Sequence, residues 1–158
     1  MNTITIREAI DTDKEYIDIV SKSGIDTLRK TYRPNQKALK NKKKINRSLK
    51  RLVALIDEKI VGTVQYYADK SCIKIIGLSV LADYRKLGIS RKLIEFTENV
   101  SRKNGIFNIT LFTVKETGNG DIFEKLGFNI IREELDEFSE SDKYCSLTSL
   151  YMKKKIKK

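Results

Sequence analysis

The chain changes its apolar period abruptly at one place, and that change restricts the folds open to it. Cys72-Ile73-Lys74-Ile75-Ile76-Gly77-Leu78-Ser79-Val80 is dense in β-branched residues and reads as a strand. From there the apolar residues Ile89, Leu93, Phe96 and Val100 recur at i, i+4, i+7 and i+11, one face of a helix that stops at Asn104-Gly105. Residues 106–114 revert to an apolar, β-branched and aromatic run, as in an interior strand. Strand, helix and strand in immediate succession need a sheet with helices packed on it, so the chain is α/β.

The flanking segments extend this plan. Residues 3–7 alternate as a short first strand. Thr12-Asp13-Lys14-Glu15 matches a capping box and predicts a helix with Tyr16, Ile17 and Val20 on one face, ending near Gly24. Ile45, Leu49 and Leu52 fall at i, i+4 and i+7 and predict a second amphipathic helix with a Lys/Arg outer face. Residues 52–56 and 60–67 read as an antiparallel hairpin about Asp57-Glu58-Lys59, and a turn at Asp69-Lys70-Ser71 leads to the strand at 72–80. A short helix at 121–126 ends at Gly127, and strands at 128–132 and 145–152 flank an acidic loop. The expected order is β-α-α-β-β-β-α-β-α-β-β with a mixed sheet.

Composition removes several chemistries. The 158 residues suit one domain over 1–158, and 40% hydrophobic with 34% charged residues is a folded rather than a disordered composition. With no His there is no Ser-His-Asp or Cys-His triad, no His-liganded zinc and no His base. Cys72 and Cys145 cannot make a Cys-rich metal site, so no metal is expected; they read as reduced thiols in a cytosolic core rather than a disulfide. No apolar run approaches the ~20 residues of a membrane helix, and Met1-Asn2-Thr3-Ile4-Thr5-Ile6-Arg7 lacks a signal-peptide core. The expectation is a cytoplasmic protein without a membrane partner. The net charge of +11 is local: residues 29–51 hold 11 basic residues and no acidic one, while the other 21 basic and 21 acidic residues cancel.

The junction Leu78-Ser79-Val80-Leu81-Ala82-Asp83-Tyr84-Arg85-Lys86-Leu87-Gly88-Ile89-Ser90 is the most informative stretch. Gly88 lets a ligand approach the backbone, Ser90 is small, and the first turn of the following helix has N–H groups without helical partners. With the helix dipole behind them, and with Arg85 and Lys86 beside them, these groups suit a phosphate or pyrophosphate. The same residues also suit a tight strand-to-helix turn that needs a glycine only for packing. The stretch is neither a P-loop, lacking Gly-Lys-Ser/Thr, nor a dinucleotide fingerprint, lacking three spaced glycines.

Arg85-x-x-Gly88-x-Ser90 after a strand resembles the acetyl-CoA motif of the GNAT superfamily of N-acetyltransferases, Arg/Gln-x-x-Gly-x-Gly/Ala. Phe123-Glu124-Lys125-Leu126-Gly127-Phe128 is similar to the family's aromatic-led helix ending in Leu-Gly-Phe, and Asp57-Glu58-Lys59-Ile60-Val61-Gly62 to its central hairpin. The resemblance implies a mostly antiparallel central sheet with flanking helices and two splayed parallel strands, 72–80 and 106–114. It implies that acetyl-CoA is a co-substrate, with the backbone of Leu78 and Val80 along the pantetheine arm. The backbone of Lys86, Leu87, Gly88, Ile89 and Ser90 would hold the pyrophosphate, with Arg85 adding charge, and the Val80 amide would polarise the acetyl carbonyl. An amine of a small molecule or protein would attack directly in a ternary complex, and a homodimer is common in such proteins.

The chain departs from the pattern in places. Phe123 stands where many members carry a Tyr proposed to protonate the departing thiolate, which leaves Tyr144, Tyr151 or a water as donor, or an acyl-CoA-binding protein with little transferase activity. Ser90 replaces a Gly or Ala, and residues 72–79 contain no carboxylate, so the catalytic acid and base are unassigned. The acidic loop (Glu133, Glu134, Asp136, Glu137, Glu140, Asp142) would attract a cationic amine, whereas the basic segment would favour an anionic acceptor or, with Tyr32, a nucleic acid. The two segments would also attract each other. Residues 153–158 read as a frayed basic tail.

Overall fold

A computed structural model describes residues 3–41 and 48–158. Seven strands form one sheet: β1 (Ile4–Glu8), β3 (Lys50–Ile56), β4 (Lys59–Ala68), β5 (Ile73–Val80), β6 (Asn108–Val114), β7 (Asn129–Leu135) and β9 (Thr148–Lys155). Their spatial order is β1-β3-β4-β5-β6-β9-β7, and every neighbouring pair is antiparallel except β5–β6. Helix α1 (Lys14–Arg29) covers one face, where Ile17 and Val20 pack on Val53 and Ile60. Helices α3 (Ile89–Lys103) and α4 (Asn119–Lys125) lie on the other. There Leu93, Ile94, Ile109, Leu111, Phe128 and Met152 join the principal core.

The β3–β4 hairpin turns on two residues, Asp57 and Glu58, both at positive φ (49° and 66°), which matches the twist of the strands they join. Lys59 therefore belongs to β4 rather than to the turn. The β4–β5 turn is held by Asp69, whose carboxylate accepts the N–H groups of Ser71 (2.9 Å) and Cys72 (3.0 Å), bonds that hold its pKa down to about 2.

Four expectations are corrected. Thr12 is not the cap of α1; Asp13 closes the turn instead, accepting the Ile10 N–H at 2.9 Å and pairing with Arg7 at 2.6 and 3.0 Å. The helix does not end near Gly24 but runs to Arg29, and Tyr16, expected on its inner face, is exposed. A Cβ on Gly24 would stand 2.3 Å from the Ser79 hydroxyl oxygen, so this glycine marks where α1 crosses β5. The amphipathic helix placed on Ile45, Leu49 and Leu52 does not extend to its last position, because Lys50 opens β3 and Leu52 is fully buried in the sheet; Ile45 lies outside the described residues. Two consecutive β-branched or apolar strands outweigh a 3.6-residue coincidence here.

The fourth correction concerns the C-terminal segment. Lys153, Lys154 and Lys155 are ladder residues of β9, paired with β6, and buried Ile156 donates its N–H to the Phe107 carbonyl at 2.8 Å. Lys154 crosses to the α3 side, donating to the Leu126 carbonyl at 2.7 Å and pairing with the largely buried Glu98. Of the two thiols, Cys72 is buried and Cys145 exposed, and neither is in a disulfide.

Gly24→Ala removes a helix-weakening residue, worth about 1 kcal/mol in an open helix. Here chemical denaturation should show a loss of roughly 1–2 kcal/mol from overpacking against Ser79, partly recovered in a Ser79→Ala background. A stabilised single variant would mean that α1 does not sit this close to β5.

Candidate active site

Strand β5 is where the sheet opens. Its pairing with β6 covers only Ile73↔Ile109 and Lys74↔Thr110, although both strands continue well beyond. Just past that point the β4–β5 register shifts, with Gln65 opposite Gly77 and Tyr66 opposite Ile75, so Ile76 is an extra residue. A bulge bends its strand and increases its twist, which turns the end of β5 away from β6.

The ladder then determines which backbone groups face the gap. Leu81 donates its N–H to the Val61 carbonyl at 2.9 Å, a pair in register with Thr63↔Ser79 and Gln65↔Gly77. Antiparallel strands alternate bonded and non-bonded pairs, so the N–H and C=O groups of Leu78 and Val80 point away from β4 into the split. Their side chains pack on the α3 side, against the core.

Beyond Val80 the chain makes a short 3₁₀ turn (Ala82–Tyr84) and enters α3 through two left-handed residues, Lys86 (φ 64°) and Gly88 (φ 82°). A non-glycine residue at such a φ is uncommon, and it was invisible in the motif. Gly88 is the N-cap and Lys92 donates back to its carbonyl at 3.1 Å, so the amides of Ile89, Ser90 and Arg91 precede the first helical donor. Lys86, Leu87 and Gly88 are exposed, and a Cβ on Gly88 would meet nothing within 4 Å. Ile89 contributes only its amide outward; its side chain is buried and reaches β4, where a Cβ on Gly62 would stand 2.9 Å from it. Arg85 lies across the end of β5, its Nε donating to the Val80 carbonyl at 3.4 Å and its Nη2 to the Thr27 hydroxyl at 3.5 Å. The structure thus gathers Leu78, Val80 and residues 85–90 at one end of the split.

The aromatic candidates do not gather there as one group. Phe123 on α4 packs edge-on against Phe128, ring centroids 5.9 Å apart, on the α3 side. Tyr144 lies in an exposed turn, its N–H donating to the Ser141 hydroxyl at 3.3 Å. Tyr151 is on β9, facing away from the buried Leu150 and Met152 of the α3 side, between Phe112 of β6 (4.9 Å) and the Arg132 guanidinium of β7 (4.8 Å).

On the α1 side, a clasp joins the basic segment to the acidic loop. β2 (Arg33–Pro34) pairs with β8 (Ser139–Glu140), a contact too short to be legible in the sequence. Asn35 caps α2 (Gln36–Lys40) and donates its side-chain N–H to the Glu137 carbonyl at 2.7 Å. Arg33 reaches Asp142 (3.1 Å) and Glu140 (3.5 Å), Lys37 reaches Glu137 (3.0 Å), and the Ser141 hydroxyl donates to the Thr31 carbonyl at 2.5 Å. Burial pushes the Tyr32 hydroxyl above its ordinary pKa, with Arg29 opposing and Asp136 adding to the shift, so helix end and acidic loop meet there too. Opposite charges expected to recruit an acceptor therefore partly satisfy each other. That also weakens a nucleic-acid role for Arg33 and Lys37.

A cavity of about 430 Å³, lined by residues including Glu8, Lys14, Lys50, Arg51 and Tyr66, lies at the other end of β4 from Gly62 and away from the turn. Among the described residues no group of His, Cys, Asp or Glu is arranged to hold a metal, and no helix is long and apolar enough to cross a membrane.

The fold is shared with solved N-acetyltransferases. The ribosomal-protein-S18-alanine N-acetyltransferase of Escherichia coli superposes with a TM-score of 0.73 at 14% identity, over 99% of this chain and 96% of that one. The PaiA N-acetyltransferase of Thermoplasma acidophilum, in complex with coenzyme A, gives 0.71 at 20% identity, over 97% and 99%. An aminoglycoside 6'-N-acetyltransferase complexed with coenzyme A gives 0.71 at 15%, over 98% of each chain. The model of the acetyltransferase (GNAT) family matches residues 17–128, most of the chain and all of the split and the turn, so this protein belongs to the GNAT acetyltransferases.

Proposed function

We propose that this acetyltransferase moves the acetyl group of acetyl-CoA to a primary amine, which attacks directly in a ternary complex at the split between β5 and β6. The observation that carries this is the pair of open backbone edges at Leu78 and Val80, continuous with the exposed amide turn at 86–90. The residues fit the co-substrate: the edges suit an amide-bearing pantetheine arm, and a Cβ on Gly88 would point into open space. Bound acetyl-CoA supplies a thioester carbonyl open to attack by an amine.

The chain's own contribution is positional and electrostatic. The amides of 86–90 and the start of α3 hold the pyrophosphate, with Lys86 and Arg85 alongside. The Arg85 contacts to Val80 and Thr27 are long, so the guanidinium can leave them for a phosphate at little cost. Leu78 and Val80 extend the arm as a strand would, and the Val80 N–H is aimed where the carbonyl oxygen gains charge. β5 carries no carboxylate, so this strand supplies no base for the ammonium proton. A second reading, an acyl-CoA-binding protein with little transferase activity, draws on Phe123, which has no proton to give and already packs on Phe128.

Thiol release from acetyl-CoA over a panel of amines tests the proposal. Turnover with at least one amine is expected, and Gly88→Glu should abolish acetyl-CoA binding by placing a carboxylate among the phosphate-binding amides. Retained affinity would refute the site. Phe123→Tyr should leave binding unchanged and either raise turnover or leave it the same; a large loss would assign Phe123 a packing role that turnover depends on.

A further inference from the structure

Among the described residues, Arg33 and Lys37 are matched by the acidic loop, and the surface exposed on the α1 side of the sheet includes an aromatic group. Phe112 sits on β6 two residues beyond the last β5–β6 pair, about 7 Å along the strand, at the mouth of the split. Its neighbours Leu111 and Ile109 are in the core against α3, so Phe112 faces the α1 side. Helix α1 packs on β4 and β5 and leaves that position open: Phe112 is 62% exposed in the middle of a seven-stranded sheet.

Phe112 is also organised with its neighbours. Phe112, Tyr151 and Arg132 lie side by side on adjacent strands, the two rings 4.9 Å apart and the guanidinium 4.8 Å from the Tyr151 centroid. Arg132 is already paired with Glu134 at 2.6 Å, and Glu133 with Lys115 at 3.4 Å. A row of mutually tilted rings whose charges are internally matched offers little to a carboxylate or a polycation. It offers a flat face to a planar ring.

We propose that Phe112 and Tyr151, backed by Arg132, form the acceptor platform, selecting an amine whose planar aromatic group stacks on Phe112 while its nitrogen reaches into the split. This rests on the acetyltransferase reading above and names the acceptor class for that same site. Phe112 is a specificity-determining residue on this account, and Tyr151 supports its ring rather than serving as the acid.

The test is calorimetric binding of 2-phenylethylamine and of 1,4-diaminobutane to the full chain saturated with coenzyme A, alongside thiol release with each amine and sedimentation velocity. Wild type should bind the aryl amine at least tenfold more tightly than the diamine. Phe112→Ala should lose at least fivefold of that affinity, Phe112→Tyr should retain it, and coenzyme A affinity should not change in either. Equal affinities, or an unaffected Phe112→Ala, would overturn the platform while leaving thiol release with the diamine intact. Ring-dependent binding without thiol release from any amine would uphold the platform and overturn the transferase reading. A dimer that dissociates in Phe112→Ala would show instead that a second copy covers this face, and would overturn the proposal.

Discussion

The structure depends on a parallel strand pair that stops pairing after two residues. Where β5 leaves β6, each strand continues with one edge that has no strand partner, and an unpaired backbone group removed from water costs on the order of 1–3 kcal/mol. The half-buried edge at Leu78 and Val80 is tolerable in an interior strand only because a solvent-filled or ligand-filled gap replaces the missing neighbour. Several unusual local features surround it. The bulge at Ile76 turns the strand away, Gly62 and Ile89 fasten the start of α3 beneath β4, and Gly24 lets α1 press against Ser79. The antiparallel β6–β9–β7 ladder holds the other wall.

Charge contributes differently from what its distribution suggests. The basic stretch at 29–51 and the acidic loop, read separately, point to opposite acceptors. Folded, Arg33 and Lys37 of the one meet Glu137, Glu140 and Asp142 of the other at the β2–β8 clasp, in exposed pairs that solvent screens. On the same side of the sheet Phe112 stays exposed. The cationic residues at the turn, Arg85 and Lys86, come from the electrically balanced remainder of the chain.

What the sequence made legible follows from how local each signal is. The change of period between Val80 and Ile89 specified strand, turn and helix, because both periodicities are long and Gly88 separates them. The hairpin at Asp57-Glu58 was equally clear. The extent of α1 was misread because a helical glycine looks the same whether it ends a helix or admits a neighbouring strand, and only the approach of Ser79 distinguishes the two. Lysines at 153–155 read as solvated tail because their ladder partners, Asn108, Ile109 and Thr110 on β6 and Asn129 on β7, are remote in the sequence. The bulge at Ile76, the left-handed Lys86 and the exposure of Phe112 were not legible at all. The bulge and the exposure depend on which strands are neighbours, and in the strand alphabet Ile76 and Phe112 are ordinary apolar residues; the φ of Lys86 is set by the turn, where any residue type can stand.

The most direct measurement of the central claim is residue-resolved amide hydrogen exchange with and without coenzyme A. If the open edges of the split are the binding surface, the amides of Leu78 and Val80 and those of Ile89, Ser90 and Arg91 should exchange readily in the free protein and slow at least tenfold on saturation. The amides of Ser79 and Leu81, already facing β4, should change little. Protection confined instead to the cavity near Glu8 and Tyr66, or unchanged exchange at Leu78 and Val80 in the saturated protein, would contradict the account.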